Sequence, residues 1–122
     1  DWELSTLGDP LADFTYFLMI YEMPPTSGSA GSSGISGLDL KPLGIPTIEE
    51  AVAIYCKATN RTGMPNLDWY MAYNMFRIAA ILQGIAGRVR DGTAASAAAQ
   101  QSISRILPLS EAAWKFAKKA GA

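Results

Sequence analysis

Residues 67–92 read LDWYMAYNMFRIAAILQGIAGRVRDG and form the longest helical pattern in the chain. Apolar side chains recur there at steps of three and four residues, as on one buried face of an α-helix, at Leu67, Met71, Met75, Ile78, Leu82, Ile85 and Val89. Gly92 suits the left-handed conformation that often ends a helix. The pattern predicts one helix over residues 67–91, with Asn66 or Asp68 as its N-cap.

Two helices are predicted before this segment from the residues that would start them. Asp9 can accept hydrogen bonds from free amides, and the proline after it suits a first helical position, which predicts a helix over residues 10–21. Thr47 and Glu50 have the spacing of a capping box. A further helix is therefore expected from Thr47 to about residue 60.

Two more helices are predicted after the long one. Residues 94–107 are rich in alanine and favour a helix that ends at Pro108. Ser110 can cap a last helix that runs through about Lys119. The sequence thus predicts an all-α fold of about five helices, with a short extended N-terminal lead-in.

The chain is expected to form one domain, residues 1–122, that contains a flexible loop. Hydrophobic residues make up 49% of its 122 residues and charged residues 17%, a balance typical of a packed domain. Residues 24–46 read PPTSGSAGSSGISGLDLKPLGIP, a composition that is costly to order. Both a lid and a disordered insertion remain open for this loop.

Composition narrows the classes of function. The chain has no histidine, so it supplies no imidazole base and no Ser-His-Asp triad. A net charge of -1 does not favour nucleic-acid binding, and no apolar stretch is long enough to span a membrane. Cys56 is the only cysteine and is read as a small buried hydrophobe, so a cytoplasmic setting is the default expectation.

Residues 1–13, DWELSTLGDPLAD, carry the most specific motif. This segment resembles the one that follows the catalytic loop in the aminoglycoside phosphotransferase and choline kinase-like superfamily, with Asp1, Gly8, Asp9 and Asp13 at the matched positions. Together with TGMPNLDWYMAYNMFRIAAILQGI further on, it looks most like the branch that is also found fused to acyl-CoA dehydrogenases. The resemblance covers roughly residues 1–23 and 47–92.

The resemblance implies a fold for the chain and a place for the chain within a longer protein. The chain is expected to be the helical C-terminal lobe of a protein-kinase-like fold. Because it opens in the middle of the motif, it is expected to be a C-terminal fragment whose N-terminal lobe, with the His-Gly-Asp catalytic loop and the nucleotide-binding elements, is missing.

The resemblance also implies roles for the first residues. Asp1 is predicted to bind Mg²⁺ on the phosphates of ATP, as the aspartate of the Asp-Phe-Gly motif does in kinases. Trp2 stands at the apolar middle position and Glu3 replaces the glycine, and both are predicted to contact the substrate. Asp9 and Asp13 are predicted to be structural, as caps or helix-anchoring acceptors.

A polar stripe on the long helix is the second candidate region. Tyr70, Tyr73, Asn74 and Arg77 are predicted to share one wall of the substrate pocket, although a helical aromatic stripe is usually core. Arg77 sits among apolar residues, so its guanidinium is expected to be buried and to need an anion. An ion pair with Asp13 or Glu3 is the structural alternative.

The predicted function is therefore part of an ATP-dependent phosphotransferase acting on a hydroxyl of a small molecule, with ATP and Mg²⁺ as cofactors. The chain alone is predicted inactive, because its partner, the N-terminal lobe, is missing. Residues 57–122 hold nine Lys and Arg against three acids, which argues against a polycationic acceptor and is compatible with a hydroxyacyl-CoA. Nucleic-acid and membrane partners are not expected, and a homodimer is left open.

A non-catalytic binding module, a pseudokinase lobe, is the alternative of another class. The two readings differ in what stands before Asp1: a His-Gly-Asp motif would support an enzyme, and its loss would support a binding module.

Overall fold

The computed structural model describes residue 3, residues 5–23, residue 25, residues 34–94 and residues 97–122, and it contains no strand within these ranges. The described helices are α1 (Pro10–Leu18), α2 (Ile48–Ala58), α3 (Leu67–Arg90), α4 (Ala97–Ile103) and α5 (Ile106–Lys119), with single 3-10 turns at Met19–Tyr21 and Lys41–Leu43. The predicted all-α class with about five helices is confirmed.

The caps of α1 and α2 explain where these helices begin. The Asp9 side chain accepts a hydrogen bond from the Leu11 amide at 2.9 Å, with proline at the start of the helix. Thr47 accepts from the Glu50 amide at 3.2 Å, and Glu50 accepts from the Thr47 amide at 2.8 Å. Both halves of the predicted capping box are present.

Helix α3 agrees with its predicted bounds to within one residue. It begins after Asn66, which has a left-handed backbone (φ 59°) and makes no side-chain capping bond. Gly92, just past its end, has the expected positive φ of 73°. Although α3 is the longest, no helix in the described ranges has the length and apolar character needed to cross a membrane.

The boundary between α4 and α5 differs from the prediction. The break falls at Ser104 and Arg105, and Pro108 lies inside the first turn of α5 instead of ending a helix. A proline is tolerated there because the first amides of a helix have no intrahelical acceptor. Ser110 is not a cap; its hydroxyl donates back to the Ile106 carbonyl at 2.8 Å.

Helix α3 is the centre of the packing and contacts α5, α1 and α4. One hydrophobic core joins α1, α2, α3, α5 and the segment after α1; it contains Leu18, Met19, Met23, Ala51, Met71, Met75, Ala79, Leu82, Leu109, Ala113 and Phe116. Of the predicted apolar stripe on α3, Met71, Met75 and Leu82 are buried and the other members are half-buried. Cys56 is buried, as expected.

The second half of the predicted loop returns to the end of α1. The Ile35 amide donates to the Ile20 carbonyl at 2.8 Å, and the Ser36 amide donates to the Met23 carbonyl at 3.0 Å. At Gly34 an added Cβ would stand 1.8 Å from the Met23 carbonyl oxygen, so only glycine fits this close approach. Residues 24 and 26–33 lie outside the described residues, and the flexible loop stays a prediction.

Candidate functional site

The predicted metal ligand lies beyond the described part of the chain. Asp1 and Trp2 are outside the described residues, and Glu3 is exposed. Among the described residues, no group of three or more His, Cys, Asp or Glu side chains could hold a metal ion. The metal role of Asp1 and the substrate roles of Trp2 and Glu3 therefore stay predictions.

Asp9 joins the start of α1 to the start of α3. Its Oδ1 accepts the Leu11 amide, and its Oδ2 accepts a hydrogen bond from the Tyr70 hydroxyl, 61 residues further along the chain. The bonds from Tyr70 and Leu11 lower the pKa of Asp9, and the bond to Asp9 raises the pKa of Tyr70. At neutral pH the pair is thus a phenol donating to a carboxylate, a charge-assisted hydrogen bond.

Asn74 makes the next contact between the same two helices. It is fully buried, and its Nδ2 donates to the Ala12 carbonyl and to the Thr15 hydroxyl, both at 2.9 Å. Thr15 in turn donates to the Leu11 carbonyl at 2.6 Å. The Oδ1 of Asn74 is buried without a hydrogen-bond partner in the described part of the chain.

Arg77 completes the series, but it is not buried as expected. Its side chain is exposed, and its guanidinium carbon lies 5.3 Å from the centre of the Tyr16 ring. Within the described ranges it forms no ion pair with Asp13 or Glu3. The expectation that the Arg77 guanidinium is buried is wrong, because α1 offers it an aromatic ring at the protein surface. Asp13 is also exposed. It lies in the first turn of α1, where a negative charge interacts favourably with the helix dipole.

These contacts divide the predicted wall into two faces. Tyr70, Asn74 and Arg77 follow the helical repeat along the face of α3 that packs on α1, and we call this contact the α1–α3 seam. Tyr73 lies on the neighbouring flank with Trp69, its ring parallel to the indole at 5.6 Å. Tyr70, Asn74 and Arg77 thus contact α1 through their polar groups, and the prediction that all four residues line the substrate pocket stays a prediction.

The flank with Tyr73 opens into an aromatic groove between α3 and α5. The groove has a volume of about 650 Å³, and its aromatic lining is Trp69, Tyr73, Phe76 and Trp114. Trp69, Phe76 and Trp114 are 53%, 68% and 59% exposed. None of these three residues was predicted as a site residue. For Trp69 and Phe76 a signal was present in the sequence, since aromatic residues recur at helical spacing at 69, 73 and 76, beside the core stripe.

A second, more polar cleft of about 800 Å³ opens at the start of α3. Its lining includes Asn66, Asp68, Tyr70 and Lys119, and it shares Trp69 with the aromatic groove. The cleft therefore borders the Asp9–Tyr70 hydrogen bond and brings an acid, a base and a phenol to one opening.

Comparison with known proteins shows which proteins share this fold and sequence. No protein-family model matches the chain. The crystal structure of a protein designated an aminoglycoside phosphotransferase, from Ralstonia eutropha JMP134, superposes with a TM-score of 0.84 at 44% sequence identity, covering 98% of this chain and 35% of that one. The chain belongs to the aminoglycoside phosphotransferase-like superfamily.

The chain is also similar to proteins named as acyl-CoA dehydrogenases. The chain is 46% identical over 121 residues, 99% of its length, to acyl-CoA dehydrogenase family member 10 of Mus musculus, and 32% identical over 120 residues to family member 11 of Gallus gallus. It spans 11% and 15% of the lengths of these two proteins. The predicted resemblance to the phosphotransferase-like branch fused to acyl-CoA dehydrogenases is confirmed, as is the prediction of a helical lobe of a kinase-like fold.

Proposed function

We propose that this chain is part of an ATP-dependent phosphotransferase that phosphorylates a hydroxyl group of a small molecule. The observation that carries the proposal is the superposition of nearly the whole chain on the phosphotransferase structure from Ralstonia eutropha. In the proposed reaction the acceptor oxygen forms a bond to the γ-phosphorus as the bond to the bridging oxygen breaks, and ADP leaves. The hydroxyl proton goes to a base on the catalytic loop that the family resemblance places before Asp1.

In this proposal Asp1 supplies one carboxylate to the magnesium ion. Mg²⁺ prefers hard oxygen ligands and is often held by only one or two carboxylates plus phosphate oxygens and water, so the chemistry of Asp1 suits the ion. We propose that the further ligands come from the catalytic loop that the family resemblance places before Asp1. When bound, the ion neutralises charge on the nucleotide phosphates.

A hydroxyacyl-CoA is the acceptor that we propose. The excess of six basic residues between residues 57 and 122 favours an anionic molecule over an aminoglycoside, and most of these side chains are exposed. The similarity to proteins named as acyl-CoA dehydrogenases also supports a substrate derived from an acyl-CoA. The apolar character of the groove between α3 and α5 is also compatible with an acyl chain.

The test uses the full-length protein that contains this chain. It is incubated with ATP, Mg²⁺ and one acceptor at a time from a panel of a hydroxyacyl-CoA, an aminoglycoside and choline, and products are followed by phosphorus NMR and mass spectrometry. We expect a phosphorylated hydroxyacyl-CoA and stoichiometric ADP. Preferred phosphorylation of the aminoglycoside would overturn the acceptor assignment and leave the reaction class standing.

The Asp1→Asn variant tests the metal role. Loss of the charged ligand should lower kcat by at least about a hundredfold, the loss typical when a group that stabilises transition-state charge is removed. Asp91→Asn, an exposed carboxylate at the far end of α3, is the matched control and should retain activity. Equal activity of the two variants would contradict the role of Asp1.

The isolated 122 residues are proposed to be inactive, and measurable phosphate transfer by them would refute this part. A full-length protein that binds its ligand without consuming ATP, and that lacks His-Gly-Asp before Asp1, would instead be the binding module of the alternative hypothesis.

A further inference from the structure

The aromatic groove between α3 and α5 has large side chains at its rim and small ones at its floor. The four rings that line it are each at least 45% exposed. Its lining also includes three alanines that are buried or half-buried: Ala72, Ala113 and Ala117. Because the methyl groups lie deeper than the rings, the groove is a trough with an apolar floor and aromatic sides, a shape that suits a linear apolar chain.

The two ends of the groove differ in polarity. At one end Trp69 also lines the polar cleft, together with Lys119 from the last turn of α5. The start of α3 meets the end of α5 there, so the two helices run in opposite directions, and Phe76 and Ser110 lie toward the other end. The Ser110 hydroxyl is used within its own helix, so this second end is apolar.

The charges around the polar end favour an anionic group over a cationic one. Lys118 and Lys119 are exposed in the last turn of α5, and Asp68 is the acid in the lining of the cleft. Asp9 lies at the margin of the cleft, where it already accepts a hydrogen bond and interacts electrostatically with Arg61. Two lysines therefore stand against one acid that has no other cation beside it in the cleft lining.

The size of the groove distinguishes a small ligand from a protein partner. Its volume of about 650 Å³ lies within the range of about 300–1,000 Å³ that is typical of small-molecule sites. Eleven described residues line it. A stable protein interface uses about 20–30 residues on each side. The groove is therefore large enough for a small ligand and too small to form a stable protein interface by itself.

We propose that this groove binds the acyl chain of the acceptor, with the phosphate-bearing CoA end at the polar cleft and the end of the chain toward Phe76. This inference rests on the proposed function, in which the acceptor is a hydroxyacyl-CoA. Tyr73, which was predicted to line the substrate pocket, contacts the chain together with Trp69 and Trp114. Each methylene group that leaves water for the groove improves affinity by up to about fourfold, which corresponds to about 0.8 kcal/mol.

Two variants of the full-length protein change the groove in opposite ways. Trp114→Ala removes one aromatic side and should fold, because this side chain is largely exposed. Ala117→Phe fills the floor with a ring. Leu107→Ala is the matched control for the first variant, since it removes an exposed apolar side chain of α5 outside the groove. Ala53→Phe, at an exposed position of α2, is the control for the second.

The first measurement compares the KM for hydroxybutanoyl-CoA with the KM for hydroxydodecanoyl-CoA. In the wild type we expect a lower KM for the longer chain. Trp114→Ala and Ala117→Phe should each raise the KM for the longer substrate by about tenfold relative to that for the shorter one, because the groove then accepts fewer methylene groups. Leu107→Ala and Ala53→Phe should keep the wild-type ratio.

The second measurement needs no phosphate transfer. Dodecanoyl-CoA with a diazirine at the end of its chain is photolysed with the protein in the absence of ATP, and the labelled residues are located by peptide mass spectrometry. We expect label in the groove, at residues 69–76 or 110–117. The label there should fall by about tenfold in Ala117→Phe and remain at the wild-type level in Ala53→Phe.

The possible results separate this inference from the proposed function. Label only outside the groove, or equal changes in KM for the two chain lengths, would overturn the inference. A wild-type dimer that Trp114→Ala converts to a monomer, with no label in the groove, would overturn it in favour of contact with a second copy. A wild-type protein without phosphate transfer would defeat the proposed function, whereas the photolabelling would still decide whether the groove binds an acyl chain.

Discussion

The bond between Asp9 and Tyr70 makes stability depend on pH at both ends of the scale. The pKa of Asp9 is lowered from its ordinary value of 3.8, so its contribution is complete above that value and is lost as the pH falls through the lowered pKa. The pKa of Tyr70 is raised from 10.0, so its contribution is complete below that value and is lost as the pH rises through the raised pKa. Between these limits the contribution is constant.

We therefore predict that the difference in melting temperature between wild type and Tyr70→Phe is constant near neutral pH and shrinks toward strongly acidic and strongly alkaline pH. Thermal unfolding across the pH range measures it. Tyr73→Phe is the control, since the structure shows no carboxylate bonded to that hydroxyl among the described residues. A difference that stays constant into acid would contradict the role of the Asp9 carboxylate.

Asn74 is predicted to contribute to the free energy of unfolding through its hydrogen bonds to α1. Replacing it with alanine removes two hydrogen bonds to α1 and leaves the Ala12 carbonyl and the Thr15 hydroxyl short of a partner. A loss of about 1–3 kcal/mol in the free energy of unfolding is expected. Urea unfolding measures it, with exposed Gln83→Ala on the same helix as the control, which should change stability by less than about 0.5 kcal/mol.

The sequence could not predict the roles of these side chains, because they depend on a partner helix more than fifty residues away. Asn74 and Arg77 look alike in the sequence, as polar residues in an apolar helix. The structure buries the first and leaves the second at the surface over Tyr16. Asp9, in contrast, could be predicted as a cap, since capping involves only the amides that follow it.

At the scale of the helices, the sequence predicted a helix end correctly where the residue at that end is compatible with only one position in a helix. The capping box at Thr47 and the left-handed Gly92 were read correctly, because each satisfies its own helix end. Pro108 was misread, since a proline is compatible with both the end of one helix and the first turn of the next. Only packing of α5 against α3 decides between these possibilities.

Two proline variants test the observed start of α5. Pro108→Ala should change the free energy of unfolding by less than about 1 kcal/mol, because that position needs no amide hydrogen bond in the first turn. Ala112→Pro, four residues further on, should cost about 3 kcal/mol or more, because it removes a bond and clashes with the preceding turn. Circular dichroism and thermal unfolding check both. Similar, small effects would mean that α5 starts later than the structure shows.

At the scale of the whole molecule, the contact between α3 and α5 allows burial to be tested against side-chain size as the cause of stability. Met71 on α3 is the more buried residue and Trp114 on α5 the larger one, so the two properties predict opposite orders for the stability lost on replacement by alanine. Met71 is fully buried, so Met71→Ala should cost about 2–5 kcal/mol. Trp114 is larger but 59% exposed in the aromatic groove, so Trp114→Ala should cost less than about 1 kcal/mol. Urea unfolding of both variants measures the order. A larger loss at Trp114 would contradict the exposure of its side chain in the groove.

The core also has an unusual content of sulfur: Met19, Met23, Met71 and Met75 are buried in it, whereas Met64 is half-buried. Thioether side chains adapt easily to irregular gaps, but oxidation turns each into a polar sulfoxide that an apolar interior does not accommodate. Mild peroxide should therefore modify Met64 first, and the other four only during transient unfolding. The oxidation rate of these four methionines therefore reports how often this helical lobe opens, and peptide mass spectrometry measures it without any substrate.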